Sequence, residues 1–179
     1  MELNNLFVIL MLDDITKSLN SNLDYILKII PELQHTINFD QKHPHHHLDV
    51  WNHTLLALKI AEDNFDKDFD VRLCLLLHDI GKPFSYQAGE VRHFKGHPKK
   101  SSEIARGILE RLKCDSKYID YICELIEKHD TPITDDDIMN RPEFVNKLYK
   151  IQYSDALAHH PNHLEKRKIY LDEVGKKLK

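Results

Sequence analysis

A histidine and an aspartate stand side by side at His78–Asp79, immediately behind the apolar stretch Leu75, Leu76 and Leu77. In so dry a setting an unpartnered carboxylate is costly, so it either shifts its pKa or takes a cationic partner. A divalent ion is one such partner, and the pair supplies a nitrogen and an oxygen ligand together. The plain alternative is an aspartate that caps the next turn, with a hydrogen-bonded histidine beside it. His53 lies among Leu56, Ala57 and Ile60, and Asp155 among Leu157 and Ala158. Alone, each fits a core position as well as a ligand position. Taken in order, 53, 78–79 and 155 read H…HD…D: two imidazoles and two carboxylates, a set suited to Mn, Fe, Co, Ni, Zn or Mg. Coordination positions left open would admit a water and a substrate oxygen.

The elements that must carry these residues are helical. Apolar residues recur with helical spacing almost throughout, and no alternating strand pattern survives inspection. Residues 3–12 and 22–30 read as short amphipathic helices, followed by PELQHTI and the internal cluster HPHHH at 43–47. Asp49 is placed to cap a helix over VWNHTLLALKIAEDNF. The stretch VRLCLLLHD is apolar on every side, as a helix deep in a core would be. Residues 81–97 contain Gly81, Pro83, Gly89 and Gly96 and read as a loop. Helices are expected at 98–113, 116–129, 142–158 and 162–178, with Asp115 capping the second of these.

With those segments in order, a family resemblance emerges. HPHHHLDVWNHTLLAL, VRLCLLLHDIGKP, HFKGHPKKSSEIA and ELIEKHD resemble the HD superfamily of metal-dependent phosphohydrolases, over about residues 30–160. More narrowly they resemble the HD domain that follows the catalytic head of bacterial tRNA nucleotidyltransferases. The fold this implies is an all-α, compact helical bundle of about 6–8 helices. The expected organisation is a helical extension at 1–40, the HD domain at 41–160 and a C-terminal helix at 161–179. Because only about 40 residues lie upstream, the resemblance implies a free-standing hydrolase without the nucleotidyltransferase head.

The resemblance also extends the set of candidate residues. His53, His78, Asp79 and Asp155 would hold a first ion. His97 and His129 match the histidines that two-metal members add, with Asp79 then bridging the two ions. Alternatively His97 opens its helix or meets a substrate phosphate, and His129 interacts with a helix C-terminal dipole. Lys82, three residues past Asp79, would pair with a phosphate oxygen or offset developing charge. Asp79, Lys82 and His97 are therefore the catalytic candidates, and Lys82, His97, His47 and Lys99 the substrate-binding ones. Asp49, four residues before His53, either orients that imidazole or only caps the helix. His159, four after Asp155, reads more simply as a solvated helix end than as a cavity residue. Arg92 and Lys100 have a solvated face as their ordinary explanation.

Composition narrows the function. The 179 residues are 41% hydrophobic and contain only 5 Gly and 7 Pro, enough for one packed domain. A formal net charge of −4 gives no field for gripping extended nucleic acid, so a small phosphorylated substrate, such as a nucleotide, is the expected partner. Cys74, Cys114 and Cys123 form no CxxC, which suits a reducing, cytoplasmic setting. The run LFVILML is too short to span a bilayer, and no basic segment precedes it. The expected activity is hydrolysis of a phosphomonoester or phosphodiester by water activated on one or two divalent ions. Two rivals stand beside it: a di-iron oxygenase of the same superfamily, and a non-catalytic nucleotide-sensing module. Oligomeric state is not legible in the sequence.

Overall fold

The computed structural model describes residues 2–87 and 89–178. Residues 1, 88 and 179, which are the outer ends of the expected terminal segments and one position of the expected 81–97 loop, lie outside the described residues. The described chain is all helical, with ten α-helices and three short 3-10 turns, more elements than the six to eight expected. Among the described residues there is no strand, only an isolated antiparallel bridge between Gln87 and His93.

The centre of the molecule is α5 (Phe69–Leu77), in which every residue from Val71 to Leu77 is buried. It packs against α1 (Glu2–Met11), α4 (Val50–Asn64), α7 (Ser116–Lys128) and α9 (Pro142–Leu157). A helix apolar on all sides belongs where neighbours cover each side, and burial of one Leu side chain stabilises by about 1.5–3 kcal/mol. Two further short helices, α2 (Ile15–Ser21) and α3 (Leu23–Ile29), complete the N-terminal layer. Leu6, Ile9 and Leu10 of α1 join the same core cluster as Leu73 and Leu76 of α5. Arg72, 2% exposed, ties this layer down by donating to the carbonyl oxygens of Leu10 (2.5 Å) and Leu12 (3.1 Å).

Polar caps set the helix starts that matter for the site. Asp49 accepts from the Asn52 amide at 2.8 Å and so begins α4, as Asp115 begins α7 through the Lys117 amide at 2.9 Å. The next helix after α5, α6 (His97–Arg111), starts one residue earlier than the expected 98. A short α8 (Asp135–Asn140) was not expected; it is held by a capping box between Thr134 and Asp137. The last helix, α10 (Glu165–Lys177), packs on α9, and a 3-10 turn at Pro161–His163 stands where the expected helix would have begun. Among the described residues, no helix is long and apolar enough to cross a membrane.

Candidate metal centre

His53 projects from the first turn of α4, His78 and Asp79 follow the end of α5, and Asp155 lies in the last turn of α9. The helices bring all four together and bury them at 4% exposure or less. His53 Nε2 lies 2.9 Å from Asp155 Oδ1, and His78 Nε2 lies 3.5 Å from the same oxygen. Asp79 Oδ2 stands 3.6 Å from His53 Nε2 and 3.3 Å from His78 Nε2. On the other side of the same carboxylate, Asp79 Oδ1 is 3.2 Å from His97 Nε2 and 3.9 Å from His129 Nε2. The donor atoms thus fall into two groups that could each hold an ion: His53, His78 and Asp155; and Asp79, His97 and His129.

The imidazoles are oriented by backbone. Nδ1 of His78, His97 and His129 stands 2.7, 3.0 and 2.6 Å from the carbonyl oxygens of Leu75, Phe94 and Ile126, each three residues earlier. His53 Nδ1 does the same at 3.3 Å with Ala158 O, on α9. A carbonyl only accepts, so Nδ1 donates and Nε2 is left as the atom aimed at the centre. That is the tautomer a metal needs from histidine. His97 Nε2 and His129 Nε2 then face each other at 3.2 Å, an approach that suits two lone pairs directed at one cation.

Orphaned atoms point the same way. Among the described residues, the buried side-chain atoms without a hydrogen-bond partner are His46 Nδ1, His78 Nε2 and both Asp79 oxygens. Three of those four belong to the donor set, and Lys82, 2.7 Å from Asp79 Oδ2, is a single ammonium beside the two buried carboxylates Asp79 and Asp155. A divalent ion with mixed nitrogen and oxygen donors fits these residues. Without it, burial works against ionisation of Asp79, but His78 and Lys82 outweigh it and hold the carboxyl well below the usual range. Burial likewise lowers His78, yet Asp79 and Asp155 reverse this and push its pKa up to about 10. For His129 burial dominates, aided by His78 and His97, and the pKa falls to about 4.

Above the donors opens a cavity of about 520 Å³. Lys82 and His97 line it. Lys82 is buried rather than a loose loop lysine, with Nζ 2.7 Å from Asp79 Oδ2 and 2.8 Å from Gln41 Oε1. His47 and Lys99, expected to touch substrate, are not among the lining residues. His47 is exposed and turns edge-on to His160, 5.5 Å away, while Lys99 lines a separate groove with Glu124 and Lys128. Arg92 lies over the rings of Phe39 and Tyr86, and Lys100 pairs with Glu103. Asp49 caps its helix and leaves His53 to Ala158.

Further lining residues had a plainer reading in the sequence, or none. His159 is not a solvated helix end: it stacks on His53 with centroids 5.3 Å apart and stands 3.8 Å from Asp155 Oδ1. His46 reaches in from the 43–47 loop. Arg167 on α10 places Nη2 3.5 Å from Asp155 Oδ2 and donates from Nη1 to Asp130 at 2.8 Å. The i, i+4 spacing to Asp155 was the available sign for His159; for Arg167 there was none.

The described chain is an all-helical bundle that gathers buried histidine and aspartate donors able to hold a metal ion. The chain belongs to the HD-domain family, whose model matches residues 46–171. It is similar to the A-adding tRNA nucleotidyltransferase of Deinococcus radiodurans, 34% identical over 57% of this chain and 24% of that protein. The CC-adding tRNA nucleotidyltransferase of Thermus thermophilus is 32% identical over 56% and 24%, and the multifunctional CCA protein of Halorhodospira halophila 34% over 49% and 21%. The chain therefore spans about a quarter of the length of these relatives.

Proposed function

We propose that the protein is a phosphohydrolase that uses divalent metal to cleave a small phosphoester, a nucleotide by preference. The observation that carries this reading is the double-sided carboxylate of Asp79, with imidazole Nε2 atoms facing each oxygen. His53, His78 and Asp155 would hold one ion and His97 and His129 a second, with Asp79 shared. Bound there, the metal would supply an acidified water and an electrophile for a phosphoryl oxygen.

The chain's own groups would do the rest. Lys82, whose ammonium is fixed by Asp79 and Gln41, would bind a phosphoryl oxygen and offset charge as it develops. Arg167 offers a second, forked cation on the opposite side of Asp155. Phe94 forms an aromatic part of the wall, against which a base could stack. The lining sets Lys82, Lys95 and Arg167 against Asp79, Asp130 and Asp155, so with neutral histidines it carries no formal net charge, and bound divalent metal would supply the positive field that draws in an anion. The relatives' names, which concern tRNA and nucleotide transfer, are compatible with a nucleotide or an RNA end as substrate.

The test is metal analysis of the purified protein coupled to a phosphatase and phosphodiesterase screen with Mn, Ni, Co and Mg. About two ions per chain with hydrolysis is the expected result for a paired-metal hydrolase. Bound iron and oxygen uptake without hydrolysis would transfer the site to oxygenase chemistry. Nucleotide binding without turnover under any metal would make it a sensing module.

A further inference from the structure

The candidate centre is buried, and the ring of His53 is connected to the surface by further imidazoles. His93, exposed on the 85–95 loop, lies 5.9 Å centroid to centroid from His43. His43 is 5.7 Å from His46, and His46 is 4.6 Å from His159 and 5.4 Å from His53. His159 in turn stacks on His53 at 5.3 Å. The row therefore runs from solvent to the first donor in steps shorter than 6 Å, and His43, His46, His93 and His159 all line the same cavity.

The local fold holds this row in place. The 43–47 segment is tied to the end of α9 by the His160 amide, which donates to His45 O at 2.8 Å. It is tied to the 85–95 loop by the Arg92 amide, which donates to Lys42 O at 3.1 Å. The decisive residue is His46. It lies between the row's outer members and His159, and its Nδ1 is buried with no hydrogen-bond partner. A buried ring nitrogen left without a partner is uncommon in a histidine that serves packing alone.

We infer that His46 and His159 form the entry path along which a divalent ion reaches the buried donors, exchanging one imidazole for the next. Imidazole is a good transient ligand for first-row divalent metals, and the row lines the same cavity onto which Asp79, His97, His129 and Asp155 open. No group of three donors occurs along the row among the described residues, so it would pass an ion on rather than retain it. This inference rests on the proposed metal centre, and its test separates the two.

The experiment is stopped-flow mixing of metal-stripped protein with Co²⁺, followed through the visible absorption of the bound ion, and release of Co²⁺ to excess chelator. His46→Gln and His159→Gln are compared with the unaltered protein, and His47→Gln, exposed and off the cavity, serves as the control. Far-ultraviolet circular dichroism establishes that each variant is folded. His46→Ala replaces any Gln variant that is not. A path lowers the barrier from both sides, so uptake and release should each slow by about tenfold or more in the path variants, with Kd unchanged. The control should match the unaltered protein. Unaltered uptake in both path variants overturns the path and leaves the metal centre standing. A weakened Kd carried by faster release alone also overturns it, by making His159 a structural support of the site. Absence of any Co²⁺ spectrum in the unaltered protein removes the centre and the path together.

Discussion

Asp79 Oδ1 lies 3.2 Å from His97 Nε2, on the opposite side of the carboxylate from the oxygen that faces His53 and His78. One side chain thus faces both halves of the site, with Lys82 as its neighbouring cation at 2.7 Å. Asp79→Asn keeps the shape but removes the charge and replaces one acceptor with a donor. Metal content should fall to near zero, and turnover by about 10³-fold or more. Metal analysis and the phosphoesterase assay check both; unchanged metal content would refute the bridging role.

The second half should be separable from the first. His129→Ala leaves His53, His78 and Asp155 intact, with donor atoms within 4.8 Å of one another. The expected result is loss of about one ion of two, with hydrolysis reduced by about 10²-fold or more. Loss of all metal would show instead that the two groups bind as a unit.

Lys82 should affect chemistry and not metal retention. Lys82→Met preserves most of the buried stem while removing the ammonium that stands 2.7 Å from Asp79 Oδ2. Turnover is expected to drop about 10²-fold, with metal content unchanged or higher, because a cation competing for Asp79 is gone. A variant that hydrolyses normally would return Lys82 to a packing role.

Acid should destabilise the metal-free protein before its carboxylates titrate. Burial lowers both His129 and His159 to about 4, whereas in the unfolded chain each returns to about 6.5. Between those values the unfolded state binds more protons, so stability falls as pH falls from about 6.5 to 4. Urea titrations of chelator-treated protein at successive pH values should show the midpoint decreasing through this window. His159→Gln should flatten part of that decrease.

Gly81 holds the HD turn against α6. A Cβ there would lie 2.5 Å from Ser101 N and 2.9 Å from His97 O, both backbone atoms that cannot swing aside. Its amide also donates to Ser101 Oγ at 2.9 Å. Gly81→Ala must push the start of α6 outward, at a cost of about 1–3 kcal/mol. His97 should then draw away from Asp79, so the variant should lose ions from the second half along with thermal stability. Thermal melts and metal analysis test the two effects together.

What sequence could and could not reveal follows from how each residue is positioned. His53, His78, Asp79 and Asp155 sit on or at the ends of regular helices, where apolar neighbours mark the inward face. Lys99 was also open to that logic: two residues past His97 on α6 is about 200° around the helix, so both cannot face the cavity. His46 and His47 lie in an irregular loop, where no periodicity tells which of two adjacent histidines turns inward. Arg167 reaches the site only because α10 folds back on α9, a tertiary fact with no local trace. The capping box of α8 was legible as Thr134 followed three residues later by Asp137, although its second member is the shorter acid.

Three of the imidazoles in this site take their orientation from a carbonyl three positions earlier in the chain, at Leu75, Phe94 and Ile126. Any residue at those positions offers the same oxygen. The aim of each ring is therefore indifferent to which side chains precede it and dependent on how many. Substitutions at 75, 94 or 126 that keep the packing should leave the centre aligned. Inserting or deleting a single residue between an anchor and its histidine would turn that ring away, however conservative the new residue. The site is specified by counting along the chain, and lineages that retain it should vary at the anchors in residue type but not in spacing.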